Sequence, residues 1–127
     1  MTQRIGLQAE QFVADYLEAN HWQILARRYC SRWGELDLVA LQGDTLSFVE
    51  VKARQANNWD CNGLLAITPS KQRKLWLTAT AFLKVWPSLD RCNGRFDVVL
   101  VKILPSQKFN PKFSIVEHLT DAFTVSL

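Results

Sequence analysis

Two apolar-rich runs joined by Gly43-Asp44 constrain this chain more than any other feature. Gly34-Glu35-Leu36-Asp37-Leu38-Val39 lies on one side, and Phe48-Val49-Glu50-Val51-Lys52 ends the other. A Gly-Asp pair between such runs predicts a two-residue hairpin turn. Gln42 then pairs with Thr45, and counting back sets Asp37 opposite Glu50 and Glu35 opposite Lys52. Because strand side chains alternate between faces, Leu36, Leu38, Val49 and Val51 are expected to share the reverse face. That face is wholly apolar, as a core face needs to be.

Directly opposed residues hold their Cβ atoms about 4.5–5.5 Å apart, so two carboxylates there repel unless a cation lies between them. A hard divalent ion such as magnesium or manganese takes oxygen ligands, often one or two carboxylates with waters and substrate phosphate. Asp37 and Glu50 are the candidate metal ligands, and the main-chain carbonyl of Val51 could add a third. Lys52 points the same way as Glu50, where it could orient a water or stabilise charge on a phosphate. An Asp with a Glu-x-Lys is a short pattern, however. On a strand it more often marks a solvated face with a weak salt bridge.

The surrounding residues narrow the choice. Gly34 to Val39, Phe48-Val49-Glu50-Val51-Lys52-Ala53-Arg54, Thr68-Pro69-Ser70-Lys71 and Arg95-Phe96-Asp97-Val98-Val99 together resemble the YraN family of uncharacterised bacterial proteins. Gly6-Leu7-Gln8-Ala9-Glu10 and Asp121-Ala122-Phe123 fit the same pattern, so the resemblance spans nearly the whole chain. That family is similar in turn to the PD-(D/E)xK nuclease superfamily, which includes Holliday-junction resolvases and restriction endonucleases. The resemblance implies an α/β, restriction-endonuclease-like three-layer fold with a mixed central sheet flanked by helices. It also implies a metal-dependent phosphodiesterase core with Asp37, Glu50 and Lys52 at the motif positions, and Glu10 as the helix acid that some resolvase-like members add. Two departures stand out: Leu36 replaces the motif's leading proline, and Asn57 to Gly63 lacks the Phe-Gly segment expected after the motif strand.

Size and composition agree with one compact domain over residues 1–127. A chain of 127 residues, 48% hydrophobic, can bury roughly two thirds of the surface its unfolded form exposes. No apolar run approaches the roughly 20 residues that span a bilayer, so no membrane role is expected and a cytoplasmic location is. Cys30, Cys61 and Cys92 are odd in number and widely spaced, which suggests neither a disulfide framework nor a zinc site. His21 and His118 have no nearby nucleophile or metal-spaced partner in the sequence.

The net charge of +3 is too mild to identify a nucleic-acid binder, but its distribution is informative. Arg27, Arg28 and Arg32 precede the acidic strand, Lys52 and Arg54 end the next, and Lys71, Arg73 and Lys74 open a helix. Thr68-Pro69 reads as an N-cap with proline in the first turn, followed by Leu75, Ala79, Phe82, Leu83 and Trp86 at helical spacing. Cations at a helix N-terminus oppose its dipole, an arrangement that makes more sense if a phosphate binds there. Lys71, one turn before Leu75, points toward the packed side and the site edge.

An earlier helix is expected from the stripe Ile5, Ala9, Phe12, Val13, Tyr16 and Leu17, with Glu10 on its border. Arg95 to Leu104, apolar on both faces, suits a buried parallel strand reached by a helical crossover, with Asp97 in a structural hydrogen bond. Phe113 to Glu117 is expected to add a last strand after a linker from Pro105 to Pro111. Of the five tryptophans, Trp33 and Trp59 fall in expected loops beside the acidic hairpin, where they could stack on unpaired bases.

The leading expectation is a magnesium- or manganese-dependent endonuclease acting on DNA, with branched or otherwise structured DNA among the substrates it could take. Asp37 and Glu50 would hold the ion, Lys52 would position or activate water, and Glu10 or Lys71 would assist. Arg32, Trp33, Arg54, Lys71, Arg73 and Lys74 would contact the nucleic acid. Two alternatives stay open: a nucleic-acid-binding module without cleavage, and an adaptor presenting an apolar surface to a protein partner. A homodimer is compatible with each.

Overall fold

A computed structural model describes residues 3–55, 67–105 and 111–124. Trp59, Cys61, the Asn57 to Gly63 segment and the middle of the expected 105–111 linker lie outside those residues. Helix α1 (Gln3–Ala19) leads into a meander of β1 (Gln23–Ser31), β2 (Gly34–Gln42) and β3 (Thr45–Gln55). Helix α2 (Pro69–Val85) and a 3₁₀ turn (Pro87–Arg91) then lead to β4 (Asn93–Leu104) and β5 (Lys112–Phe123). The sheet order is β1-β2-β3-β4-β5, with only β3 and β4 parallel.

Local chemistry sets the ends of both helices. The amide of Trp22 donates to Leu17 O and that of His21 to Glu18 O, with His21 left-handed at φ 71°. These paired bonds close α1 as a Schellman motif, built on a histidine instead of the usual glycine. At α2 the expected cap is in place: Thr68 is extended, its side chain accepts from the Lys71 amide, and Pro69 opens the helix.

The helices cover opposite faces of the sheet, giving three layers. Ala9, Val13, Ala14 and Leu17 of α1 pack on Leu38, Ala40, Val49, Val99 and Val101. Leu75, Ala79 and Phe82 of α2 pack on Leu36, Val39, Leu46, Phe48, Val98 and Leu100. Strand β4 is thus apolar on both faces because both are covered, as expected for a parallel strand. The fold is α/β and consistent with the restriction-endonuclease-like architecture.

The hairpin register is the one counted from the sequence: Gln42 pairs with Thr45, and the ladder runs regularly to Leu38 opposite Val49. Gly43 sits at φ 60°, a turn conformation that glycine adopts without strain. Two expectations are corrected here. Leu36 and Leu38 do not share a face: Leu36 joins the α2-side core and Leu38 the α1-side core. The β2–β3 ladder ends at Leu38, so Leu36 lies on the part of β2 that has left β3 and follows β1 alone, where counting from the hairpin turn no longer sets the face. Glu35, for its part, does not face Lys52. It pairs with Cys30 of β1 and meets Arg28 at 3.1 Å.

Strand β1 was not expected at all, and β5 continues past Glu117 to Phe123. Asp97 has the structural role anticipated for it, with more partners. Its carboxylate, 1% exposed as a residue, lies 2.9 Å from His118 Nε2, accepts the Asp121 amide at 2.9 Å and pairs with Arg95 at 3.0 Å. His118 Nδ1 in turn lies 3.0 Å from the Tyr16 hydroxyl, which ties β4, β5 and α1 together. Burial pushes the Asp97 carboxyl up, but its bonds to His118 and the Asp121 amide and the charge of Arg95 outweigh that and hold it below the ordinary range.

Candidate active site

Past the Leu38–Val49 pair the sheet forks. Strand β2 stays paired to β1 as far as Gly34, while β3 stays paired to β4 as far as Gln55. A fork leaves backbone donors in need of partners. Asp37 fills one such need, its Oδ2 accepting the Val51 amide at 2.8 Å. Asp37 is therefore fixed between the two strands, one step beyond the ladder and opposite Glu50. The Asp-x₁₂-Glu-x-Lys spacing produces this arrangement because a two-residue turn fixes the count.

Glu50 is buried, 8% exposed, on the α2 side of β3. Two ammonium groups approach the same oxygen, Oε1: Lys71 Nζ at 2.8 Å and Lys52 Nζ at 3.9 Å. Lys71 comes from the first turn of α2, Lys52 from β3 itself. From the other face, Glu10 of α1 lies 4.0 Å from Arg28 Nε, which also pairs with Glu35.

The electrostatics follow from burying this many charges together. Burial pushes the Asp37 carboxyl up to about 8, reinforced by the facing Glu50 and by Glu10 and only partly offset by the Val51 amide and Lys71. Burial also raises Glu10, against the pull of Arg28. Lys52 is lowered by burial and by the neighbouring Lys71 charge. Burial alone would lower Lys71 as well, but its bond to Glu50 and that carboxylate's charge prevail and raise it. The site thus holds an acid that prefers its proton and an amine eased toward neutrality, a pairing typical of functional sites.

Asp37, Glu50, Lys52 and Lys71 come together as the sequence suggested, and Val51 joins them through its amide. Glu10 stands behind Arg28, within electrostatic reach. The other expected nucleic-acid contacts are spread around this centre. Trp33 occupies the tight β1–β2 turn with the Arg32 guanidinium stacked 4.4 Å from its ring. Arg54 donates to the carbonyl of Ala53, and Arg73 and Lys74 are exposed on α2. A cleft of about 270 Å³ between that turn and α2 is lined by Trp33, Gly34, Glu35, Thr68, Ser70, Lys71, Lys74 and Leu75. Sequence reasoning missed Arg28 as the cation linking Glu10 to Glu35, and Thr68 and Ser70 as cleft walls. The Arg27-Arg28 pair read only as surface charge, and the cleft depends on how β1 and α2 pack.

The donor set suits a hard cation. Among the described residues no three acidic, histidine or cysteine side chains form a ligand cluster. Two carboxylates, Asp37 and Glu50, remain, and magnesium often takes one or two such groups with water and phosphate.

A three-layer α/β fold with a forked mixed sheet is consistent with the restriction-endonuclease-like architecture, and the Asp/Glu-x-Lys set lies at its fork. The chain belongs to the uncharacterised protein family UPF0102, also known as YraN, whose pattern it matches over residues 9–101. It is 48% identical over 122 residues to a UPF0102 protein of Thermosynechococcus vestitus, covering 95% of this chain and 94% of that one. A UPF0102 protein of Synechococcus sp. is 44% identical over 121 residues, covering 95% and 92%. One from Acaryochloris marina is 48% identical over 108 residues, 78% of this chain and 63% of that relative's length. No helix among the described residues is long and apolar enough to cross a membrane.

Proposed function

We propose that this chain is a divalent-cation-dependent endonuclease acting on DNA, with branched or otherwise structured DNA as its substrate class. The observation that carries the reading is the half-buried Asp37 beside the buried Glu50 at the fork, with two lysines converging on one carboxylate oxygen. A purely structural pair would gain more from apolar residues of similar volume than from opposed acids.

Asp37, Glu50 and the Val51 carbonyl would hold magnesium or manganese, which when bound supplies Lewis acidity at the scissile phosphate. Lys52, its amine eased toward neutrality and largely shielded, is suited to orient the attacking water and take its proton at Nζ. Asp37 is kept in place by its bond to the Val51 amide, so its carboxylate would offer the ion a ligand from a fixed position. Glu10 supports the acid centre from α1. Arg32, Trp33, Arg54, Arg73 and Lys74 would position the strand through phosphate contacts and stacking.

The test is incubation with linear, single-stranded and four-way-junction DNA in Mg²⁺, Mn²⁺ or EDTA, alongside Asp37→Ala. The expected result is cleavage that needs the cation and disappears in the variant while its circular dichroism is unchanged. Undiminished cleavage by Asp37→Ala would refute the assignment. Binding without cutting in every buffer would make the chain a recognition module on the same fold.

A further inference from the structure

We propose that Lys71 is a displaceable counter-ion: its ammonium holds Glu50 until a divalent cation arrives, then turns to a phosphate of the nucleic acid in the adjoining cleft. The inference rests on the nuclease reading above and concerns how that site is loaded.

Geometry distinguishes the two lysines. Both approach Glu50 Oε1, but Lys71 has the shorter contact, 2.8 Å against 3.9 Å. It is also the freer chain, with 40% of its side-chain surface exposed against 13% for Lys52. Its backbone, by contrast, is anchored by the bond from its amide to Thr68 Oγ1. Lys71 thus combines a fixed root with an exposed head, whereas Lys52 rises from a strand paired along its length to β4.

An ion held by Asp37 and Glu50 would compete for the oxygen that Lys71 occupies. It would also place a third positive centre beside two ammoniums that already repel one another. The more exposed of the two is the one that yields. Lys71 also lines the cleft with Trp33, Ser70 and Lys74, so its head can swing there without the helix moving. A phosphate in that cleft gives the displaced ammonium a new partner and removes the cost of its leaving Glu50. Cation and nucleic acid then assist each other's binding, and linkage requires the assistance to be reciprocal. The consequence is a site that takes its metal weakly until substrate is present.

The experiment is titration of the full chain with Mn²⁺, read by electron paramagnetic resonance, with and without a short thymidine oligonucleotide. The parent is compared with Lys71→Met, Lys71→Gln and Lys71→Arg, each checked for folding by circular dichroism. Without oligonucleotide, Lys71→Met and Lys71→Gln are expected to bind Mn²⁺ about tenfold more tightly than the parent. The oligonucleotide is expected to strengthen Mn²⁺ binding to the parent and Lys71→Arg, and to change the two neutral variants little. Equal or weaker Mn²⁺ binding in both neutral variants overturns the proposal; if the parent still cleaves with metal, the nuclease reading survives that failure. No Mn²⁺ binding by any form, with or without oligonucleotide, overturns both.

Discussion

Replacing Asp37 by asparagine is expected to stabilise the cation-free protein at mildly alkaline pH. The Asp37 carboxyl is raised from 3.8 to about 8, chiefly by burial and next by Glu50. A group raised on folding contributes stability that is complete below its unfolded pKa and is lost as pH climbs through the folded one. For Asp37 that window runs from about pH 4 to about pH 8. At about 1.4 kcal/mol per unit, the full loss has an upper bound near 6 kcal/mol. Water entering the half-open fork brings it to about 3 kcal/mol. At about 3 °C per kcal/mol for a chain of this size, the melting temperature of the parent falls by about 10 °C across the window. The carboxamide of the Asp37→Asn variant would carry no titrating proton, and its oxygen can still accept the Val51 amide, so the variant escapes this fall. The assay is thermal melting followed by circular dichroism in EDTA at several pH values, for parent and variant together. The difference between the two curves isolates Asp37 from every group the two proteins share. Parallel curves would show that Asp37 is not held protonated by its surroundings and refute the reasoning.

Three further outcomes follow from other contacts. Asp97→Asn leaves Arg95 without its buried counter-charge and weakens the contact with His118, and is expected to lower unfolding free energy by about 3 kcal/mol, measured by urea titration at neutral pH. Because the Asp97 carboxyl is held low, its contribution in the parent is present above the ordinary carboxylate range and fades as pH falls through its folded value, so the gap between parent and variant narrows in acid. Thr68→Ala removes the cap of α2 and is expected to cost about 1 kcal/mol, most of it recovered in Thr68→Ser by the same titration. Lys52→Met is expected to reduce cleavage by about a hundredfold or more while Mn²⁺ binding is retained, which single-turnover assays and metal titration separate.

The acid pair was legible because its geometry is local: a two-residue turn carries the count from Gln42–Thr45 to Asp37 and Glu50. The α2 cap and the doubly apolar β4 were legible for the same reason, each being written within a few consecutive residues. Strand β1 was hidden because Arg27 and Arg28 read as a charge cluster and Arg28 leaves the extended conformation within the strand. The face of Leu36 was misjudged because the count from the hairpin turn holds only as far as Leu38, where β2 leaves β3. The far half of β5 was obscured by Asp121, which is left-handed at φ 50° and donates its amide to Asp97. Helical phase indicated that Lys71 faces inward, but the carboxylate it meets lies twenty-one residues away in another element. Tyr16, Asp97 and His118 meet only through the fold, and no sequence spacing announces them.

The most direct test of the central claim, that Asp37 and Glu50 jointly hold a divalent cation, is a crystal structure with Mn²⁺ and its anomalous scattering. The account expects one peak within about 2.0–2.6 Å of both carboxylates, with the Lys71 ammonium moved off Glu50 toward the cleft. A well-ordered site with no peak there, and Lys71 still paired with Glu50 at saturating Mn²⁺, would contradict it.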